Sequence, residues 1–294
     1  GTFLHSRRFL SYHEDRFRDR SLMLEEGGAL VGLFPAAEHP TDPGCIASPP
    51  GLTFGGVLHK GALRGKRMIA AFDEMTSHYV AQGYRSLLYK AVPAFYAKAP
   101  ADDDLYALFR LGAKVVRRDL SSTIYLENRL PVSQRRRRGV KKGRKSGVTI
   151  VNDISQLPEF WPVVEETLAS RHGAAPVHSL DEITLLSDRF PEHIRCVCAT
   201  QGGRVIAGTV LFLAPTAHHA QYIASNPEGR DLSALDLLFE HCIDAAHASG
   251  ARYFDFGIST EDGGRVLNEG LYAFKSEFGA GSTVQEFHEL ALPA

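Results

Sequence analysis

The chain has 294 residues, 44% of them apolar and 23% charged, with 33 Lys and Arg against 34 Asp and Glu and a formal net charge of −1. Such a chain buries a sizeable core in one large or two ordinary domains, and disorder is excluded as its default state. The neutral balance excludes a dedicated nucleic-acid-binding domain, which is strongly basic, and no apolar run approaches the roughly 18–20 residues that span a bilayer.

The N-terminal stretch GTFLHSRRFLSYHEDRF is amphipathic and charged, unlike a signal peptide, and opens on Gly1 rather than Met, as expected of a trimmed end. Leu22–Ala36, LMLEEGGALVGLFPA, reads as strand, Gly-Gly turn, strand. A long helix over Arg67–Gly83 stops on its glycine and leads into the apolar strand YRSLLYKAV, which ends near Lys90. DLSSTIYLENRLPVS then closes the first half, with Pro131 breaking the chain. Eight of the eleven residues from Arg135 to Lys145 are Arg or Lys. Ser133 is placed to cap a helix starting at Gln134, which Gly139 and Gly143 weaken. Arg135, Arg138 and Lys142 share one face at i, i+3 and i+7, while Arg136, Arg137 and Lys141 cover the others, so no apolar membrane face exists. Three readings stay open for this run: a solvated interdomain helix, a phosphate-facing surface at the mouth of a cleft, or a nuclear targeting signal.

In the second half, RHGAAPVHS holds His172 and His178 in a Gly/Pro loop, where either is a candidate base but the two do not resemble a metal pair. Cys196–Leu213 repeats the strand, Gly-Gly, strand pattern. Cys45, Cys196, Cys198 and Cys242 are scattered without a C-x-x-C, which predicts reduced, buried thiols in a cytoplasmic protein and no metal site. His218 and His219 are adjacent on a strand and point to opposite faces, a poor ligand pair. A second long helix, Ser233–Gly250, follows the polar stretch SNPEGRD and leads into the strand ARYFDFGI. Alternation there puts Tyr253, Asp255 and Gly257 on one face and Phe254 and Phe256 on the other. Asp255 among aromatics is either a paired core carboxylate or a functional one with a raised pKa. The Gly-rich loop that follows carries Ser259, Thr260 and Glu261, and beyond it lie Asn268 and, one turn into a final helix, Lys275. No G-x-S-x-G, H-E-x-x-H, Walker or G-x-G-x-x-G dinucleotide sequence is present.

The hairpin and the helix recur in the same order, Gly27 and Gly202 being 175 residues apart and Gly83 and Gly250 being 167 apart. Two features at nearly one offset argue for duplication of an α+β unit. The expected domains are residues 1–130 and 148–294, joined by a basic interdomain helix over 131–147.

Several segments resemble tandem-domain N-acyltransferases of the FemAB-like branch of the GNAT superfamily: FLSYHEDRF, LTFGGVL, YKAVPAFY and DDDLYALFRLGAKVVRRDLSSTIYL in the first half, and RHGAAPVHS, YFDFGISTEDGGRVLNEGLYAFKSEFGA and the basic run in the second. The likeness is greatest to stand-alone members associated with cell-surface polysaccharide synthesis. It implies an α+β fold of two tandem GNAT-like domains, each a mixed, mainly antiparallel sheet flanked by helices. The acceptor cleft is then expected between the domains and the donor in the second, with acetyl-CoA or another acyl-CoA as co-substrate and no metal. It also implies that the donor pyrophosphate meets backbone N–H groups at the start of a central helix. In this chain that place is Ser225–Leu238, with Asn226, Gly229, Arg230 and Ser233 as candidate donor-binding residues. The superfamily pattern Arg/Gln-x-x-Gly-x-Gly/Ala falls on Gly229, Leu232 and Ala234, of which only Ala234 fits. Amide formation needs a neutral amine and donors on the oxyanion. Asp255, Glu261, His172 and His178 are the catalytic candidates. Lys90, Ser259, Thr260, Asn268 and Lys275 are the acceptor-binding candidates, with Lys90 suited to a phosphate-bearing acceptor such as a glycan precursor. The alternatives are aminoacyl transfer from a charged tRNA and a non-catalytic binding module.

Overall fold

The computed structural model describes residues 1–293; the side chains of Glu14, Asp15, Arg171 and His172 lie outside the described residues. Two compact units interleave along the chain: unit 1 is Gly1–Leu120, Thr260–Leu267 and Val284–Ala294, and unit 2 is Ser121–Ser259 and Asn268–Thr283.

Unit 1 begins with a helical turn, α1 (Arg7–Leu10), followed by the hairpin β1 (Leu22–Glu26) and β2 (Ala29–Phe34), a two-stranded sheet of its own. Its turn needs φ of +58° and +79° at two successive positions, which Gly27 and Gly28 supply without steric cost. β3 (Ala37–His39) and β4 (Asp42–Ala47) pair antiparallel, and α2 (Lys66–Ala81) crosses over to β5 (Ser86–Lys90), which lies parallel to β4. α2 buries Met68, Phe72, Met75 and Tyr79, spaced along one helical stripe, against a core that includes Leu87 and Tyr89 of β5. α3 (Asp103–Arg110) and β6 (Lys114–Tyr125) follow, and β6 passes into unit 2 at Ser121.

Unit 2 continues with α4 (Gln134–Lys145), β7 (Thr149–Asn152), α5 (Leu157–His172), α6 (Leu180–Arg189), β8 (Ile194–Gln201), β9 (Arg204–Leu213), β10 (Ala217–Ser225), α7 (Pro227–Asp231), α8 (Ala234–Ala248) and β11 (Tyr253–Ile258). Its strands run in the order β6-β11-β10-β9-β8-β7, antiparallel throughout except for the parallel pair β10 and β11. That pair is joined by α8, whose Leu238, Phe239, Cys242 and Ile243 pack on Phe254 and Phe256. The predicted face alternation of β11 therefore holds, with the two phenylalanines turned to α8. After the short strands β12 (Thr260–Glu261) and β13 (Val266–Leu267), which belong to unit 1, the chain forms α9 (Glu269–Ser276) and β14 (Gly281–Ala291), whose last residues return to unit 1.

Both units thus contain the same strand–helix–strand crossover, β4-α2-β5 and β10-α8-β11, and the fold is the expected pair of GNAT-like α+β units. The expected contiguous boundaries need correcting, because each crossover takes its next strand from the other half of the chain. β5 pairs antiparallel with β14, Phe287 opposite Lys90 and Ala291 opposite Ser86. β11 pairs antiparallel with β6, Tyr253 opposite Tyr125 and Asp255 opposite Thr123. Backbone groups at a strand edge must be paired somewhere, and hydrophobic periodicity carries no record of the partner. The basic helix is likewise no linker: it is α4, a part of unit 2 packed on α8.

Candidate functional site

β10 and β11 pair in parallel only from Ala217 and Tyr253 to His219 and Asp255. Beyond that point β10 runs on to Ser225, with an irregularity between Ala220 and Tyr222, while β11 kinks at Gly257 (φ +75°) and ends at Ile258. A cavity of about 840 Å³ opens beside the free part of β10, with Ile223 and Ser225 on one wall and Leu271 and Phe274 of α9 among the other residues around it. Its size lies within the range of small-molecule sites.

The basic run supplies a further wall, and its residues divide by face. Arg136 is buried, its Nη1 2.8 Å from Asp236 Oδ1 on α8 and its Nε 2.8 Å from Glu277 Oε2, with the guanidinium over the Phe274 and Phe278 rings. Gly139 lies against the same carboxylate, where an added Cβ would sit 2.5 Å from Asp236 Cγ, and Gly143 faces Leu237. The glycines that weaken α4 as an isolated helix are what let it approach α8 closely. Arg135, Arg138 and Lys142, the face read from the i, i+3, i+7 spacing, line the cavity, whereas Arg137, Lys141 and Lys145 are exposed. Ser133 Oγ accepts from Arg136 N at 3.2 Å, as a cap should.

Of the donor-loop candidates, Gly229, Arg230 and Ser233 line the cavity. Asn226 caps α7, its Oδ1 accepting from Gly229 N at 2.8 Å, so that N–H is already used. Gly229 is small because a Cβ there would strike the Ile206 carbonyl of β9. Arg230 Nη1 donates to Ser225 O at 2.7 Å. Ser233 is held at φ +58°, ψ +38° and makes no side-chain cap on α8, so the first turn of that helix meets the cavity without a capping oxygen.

Asp255, at the point where the strands part, is fully buried and densely bonded. Its Oδ1 accepts from Ser121 Oγ (2.6 Å), Thr123 Oγ1 (3.0 Å) and Gly257 N (3.2 Å), and its Oδ2 lies 2.7 Å from His219 Nδ1. Burial alone would push this carboxyl up; the hydrogen bonds from His219, Ser121 and Gly257 oppose burial, and it is held below the ordinary carboxylate value. Asp255 is therefore a paired carboxylate, and the raised pKa among the sequence expectations is corrected. In the sequence His219 stands out only as half of a poor metal pair. What the sequence did not reveal is that parallel register puts it beside Asp255; strand alternation alone gave only its face. Lys275 reaches the same place from α9, donating to Gly257 O at 3.0 Å and Ile258 O at 2.5 Å, and burial brings its pKa down to about 8, opposed by the charge of Asp255. Ser259 Oγ is buried without a hydrogen-bond partner among the described residues. Its carbonyl accepts from Asn268 N at 2.9 Å, and Asn268 Oδ1 caps α9 through Leu271 N. Asn268 also lines the cavity.

The remaining candidates are placed elsewhere. His178 is buried with Nδ1 2.6 Å from Tyr222 Oη, and Tyr222 stands edge-on to Trp161. Burial pushes the Tyr222 phenol up to about 12, so it stays protonated and locks the loop to β10. His172 ends α5, and its side chain lies outside the described residues. Lys90, Thr260 and Glu261 belong to unit 1. Lys90 Nζ is bound to the carbonyls of Pro49 and Leu52, both at 3.2 Å, and burial lowers its pKa to about 8, helped by Arg117. Thr260 Oγ1 donates to Asp119, and Glu261 is exposed on the β12–β13 ladder. The four cysteines are free and buried, and among the described residues no group of three or more His, Cys, Asp or Glu is arranged to hold a metal ion.

Residues 132–275 match the family model described as an acetyltransferase (GNAT) domain. Among solved structures, FemX is similar with a TM-score of 0.70 at 14% identity, over 99% of this chain and 92% of FemX. L-PGS from Bacillus licheniformis is similar with a TM-score of 0.60 at 11% identity, over 96% of this chain and 90% of its own. A tandem GNAT protein from the clavulanic acid biosynthesis pathway gives 0.55 at 12% identity, over 95% and 85%. At these identities the likeness is one of fold. No curated protein matches the sequence.

Proposed function

We propose, from the match of residues 132–275 to the acetyltransferase (GNAT) domain model and the tandem, FemX-like fold, that this chain moves an acyl group, acetyl in the first instance, from a coenzyme A thioester to an amine of a sugar or cell-envelope glycan precursor. The observation that carries this reading is the cavity of unit 2, which joins three features a CoA thioester needs. The uncapped start of α8 at Ser233 offers N–H groups and a positive dipole end to a pyrophosphate. Arg135, Arg138 and Lys142 offer cations to further phosphate oxygens. Ile223, Leu271 and Phe274 offer apolar surface to the pantetheine arm. β10 past His219 has no partner in β11, so its backbone is available to an amide-bearing arm and to the oxyanion. The reaction joins the amine nitrogen to the thioester carbon and releases the thiol.

Reduced cysteines and a CoA donor both fit a cytoplasmic enzyme, and no helix among the described residues is long and apolar enough to cross a membrane. The test is calorimetric titration with acetyl-CoA, followed by acyl transfer to amino-sugar nucleotides read by mass spectrometry. Binding of acetyl-CoA with transfer to an amine supports the reading; failure to bind any CoA thioester sinks it.

A second reading, aminoacyl transfer from a charged tRNA, is favoured by one observation: Arg137, Lys141 and Lys145 extend the cationic surface of α4 beyond the cavity. It requires tRNA affinity that falls steeply with salt, with a log–log slope of about 0.7–0.9 per phosphate contacted. A shallow slope is expected, since the chain as a whole is neutral.

A further inference from the structure

Asp255 and His219 form a carboxylate–imidazole pair where β10 and β11 part. The carboxylate is fixed from three sides: Ser121 and Thr123 donate to Oδ1, Gly257 N donates to the same oxygen, and Oδ2 remains for His219 Nδ1 at 2.7 Å. A carboxylate accepts only, so Nδ1 carries a proton, and in the neutral imidazole the lone pair is then on Nε2. Nε2 has no hydrogen-bond partner among the described residues. The ring is not sealed, with 8% of His219 exposed. Gly257 lies beside it, where an added Cβ would sit 3.2 Å from His219 Cε1, so a side chain at 257 would crowd the imidazole. The charged groups around the pair are Asp255 itself and Lys275, held on the Gly257 and Ile258 carbonyls.

Resting on the acyl-transfer reading above, we infer that His219 Nε2 is the proton acceptor for the incoming amine and that Asp255 is its positioning residue, fixing the tautomer. The acceptor ammonium gives one proton to Nε2. The lone pair so freed forms the C–N bond to the thioester carbonyl carbon. On collapse of the tetrahedral adduct the C–S bond breaks, the thiolate leaves and takes the second N–H proton, and the imidazolium returns its proton to water. The sequence singles out Asp255 as a catalytic candidate but not His219 beside it, because only the register of two parallel strands brings them together.

The test uses the full chain and acetyl-CoA. His219→Gln should lower kcat by about 10²–10⁴-fold, the usual contribution of a positioned base, with acetyl-CoA affinity unchanged. The deficit should shrink at least about tenfold with hydroxylamine, whose nitrogen is already neutral at pH 7, and imidazole should restore part of the activity of His219→Ala. Asp255→Asn should act in the same direction: Ser121 and Thr123 keep the amide oxygen at the Oδ1 place, so the amide nitrogen faces Nδ1 and donates to it, forcing the proton onto Nε2. If the wild type acylates no amine, the functional reading falls and this inference with it. If the wild type does so and His219→Gln stays within about threefold of it, only the inference is overturned. Should the variants not fold, ¹⁵N shifts of the His219 ring in the unmodified protein decide: a neutral ring protonated on Nδ1 is expected, and one protonated on Nε2 overturns the assignment.

Discussion

Arg136→Met would strand the Asp236 carboxylate between α4 and α8, and breaking a buried pair from one side costs about 3–5 kcal/mol. Gly139→Ala, which forces a Cβ onto the same carboxylate, should cost about 1–3 kcal/mol. Arg137→Ala, an exposed cation one residue along, should stay within about 0.5 kcal/mol. Urea unfolding of the three variants measures this order, and an Arg136 variant as stable as the Arg137 one would refute the buried-clamp account. Lys275 gives a pH-dependent prediction. Its pKa is about 8 in the folded chain against 10.5 ordinarily, so between those values the unfolded state binds more protons and stability rises with pH. Below about 8 both states are protonated and the burial penalty is constant. Relative to Lys275→Met, the wild type should therefore gain stability as pH rises from about 8 toward 10.5, approaching about 3 kcal/mol at about 1.4 per pKa unit. Urea midpoints at pH 7.5, 9 and 10 would show it, and a flat difference would contradict it.

At the scale of elements, α4 does two jobs with adjoining faces. The face of Arg136, Gly139, Val140 and Gly143 packs inward, with Arg136 and Gly139 also bordering the cavity, and the face of Arg135, Arg138 and Lys142 lines it. Changing the three cavity cations together to Ala should leave the unfolding midpoint near its wild-type value. It should weaken CoA binding by at least about 2 kcal/mol, since charge-assisted contacts contribute about 1.5–3 each before solvent screening. Changing Arg137, Lys141 and Lys145 together should spare CoA binding. Calorimetry on the two triple variants makes the comparison, and equal losses would mean that α4 acts only through its general charge.

For the whole molecule, exchange of strands between the chain halves sets what can fold alone. A fragment of residues 148–294 lacks α4 and the Ser121–Tyr125 part of β6, so β11 loses its antiparallel neighbour and Asp255 loses the Ser121 and Thr123 hydroxyls. It should be poorly folded by circular dichroism and by amide dispersion in NMR spectra. A fragment of residues 121–283 keeps every segment of unit 2 and should be the more cooperative of the two in urea. The reverse order would show that the strand exchange is not needed for unit 2. Removing Val284–Ala294 from the full chain should destabilise unit 1, because β5 loses the backbone partners that β14 supplies.

Local chemistry by itself determined a good deal of this protein. The duplicated hairpin and helix, the cap at Ser133, the common face of Arg135, Arg138 and Lys142 and the alternation of Asp255 against Phe254 and Phe256 all follow from turn residues and from periods of 3.6 and 2, which act between near neighbours in the chain. Three things were decided only by tertiary structure. The strands exchanged between the halves are one, since an edge of N–H and C=O groups looks alike whatever strand completes it. The glycines of α4 are another: Gly139 is an unfavourable helix residue until Asp236 stands against it. The pairing of His219 with Asp255 is the third, 36 residues apart in the chain and 2.7 Å apart in space. Alternation gives the face of a side chain, but which residue on the next strand it meets is set by register, and register is a property of two strands together.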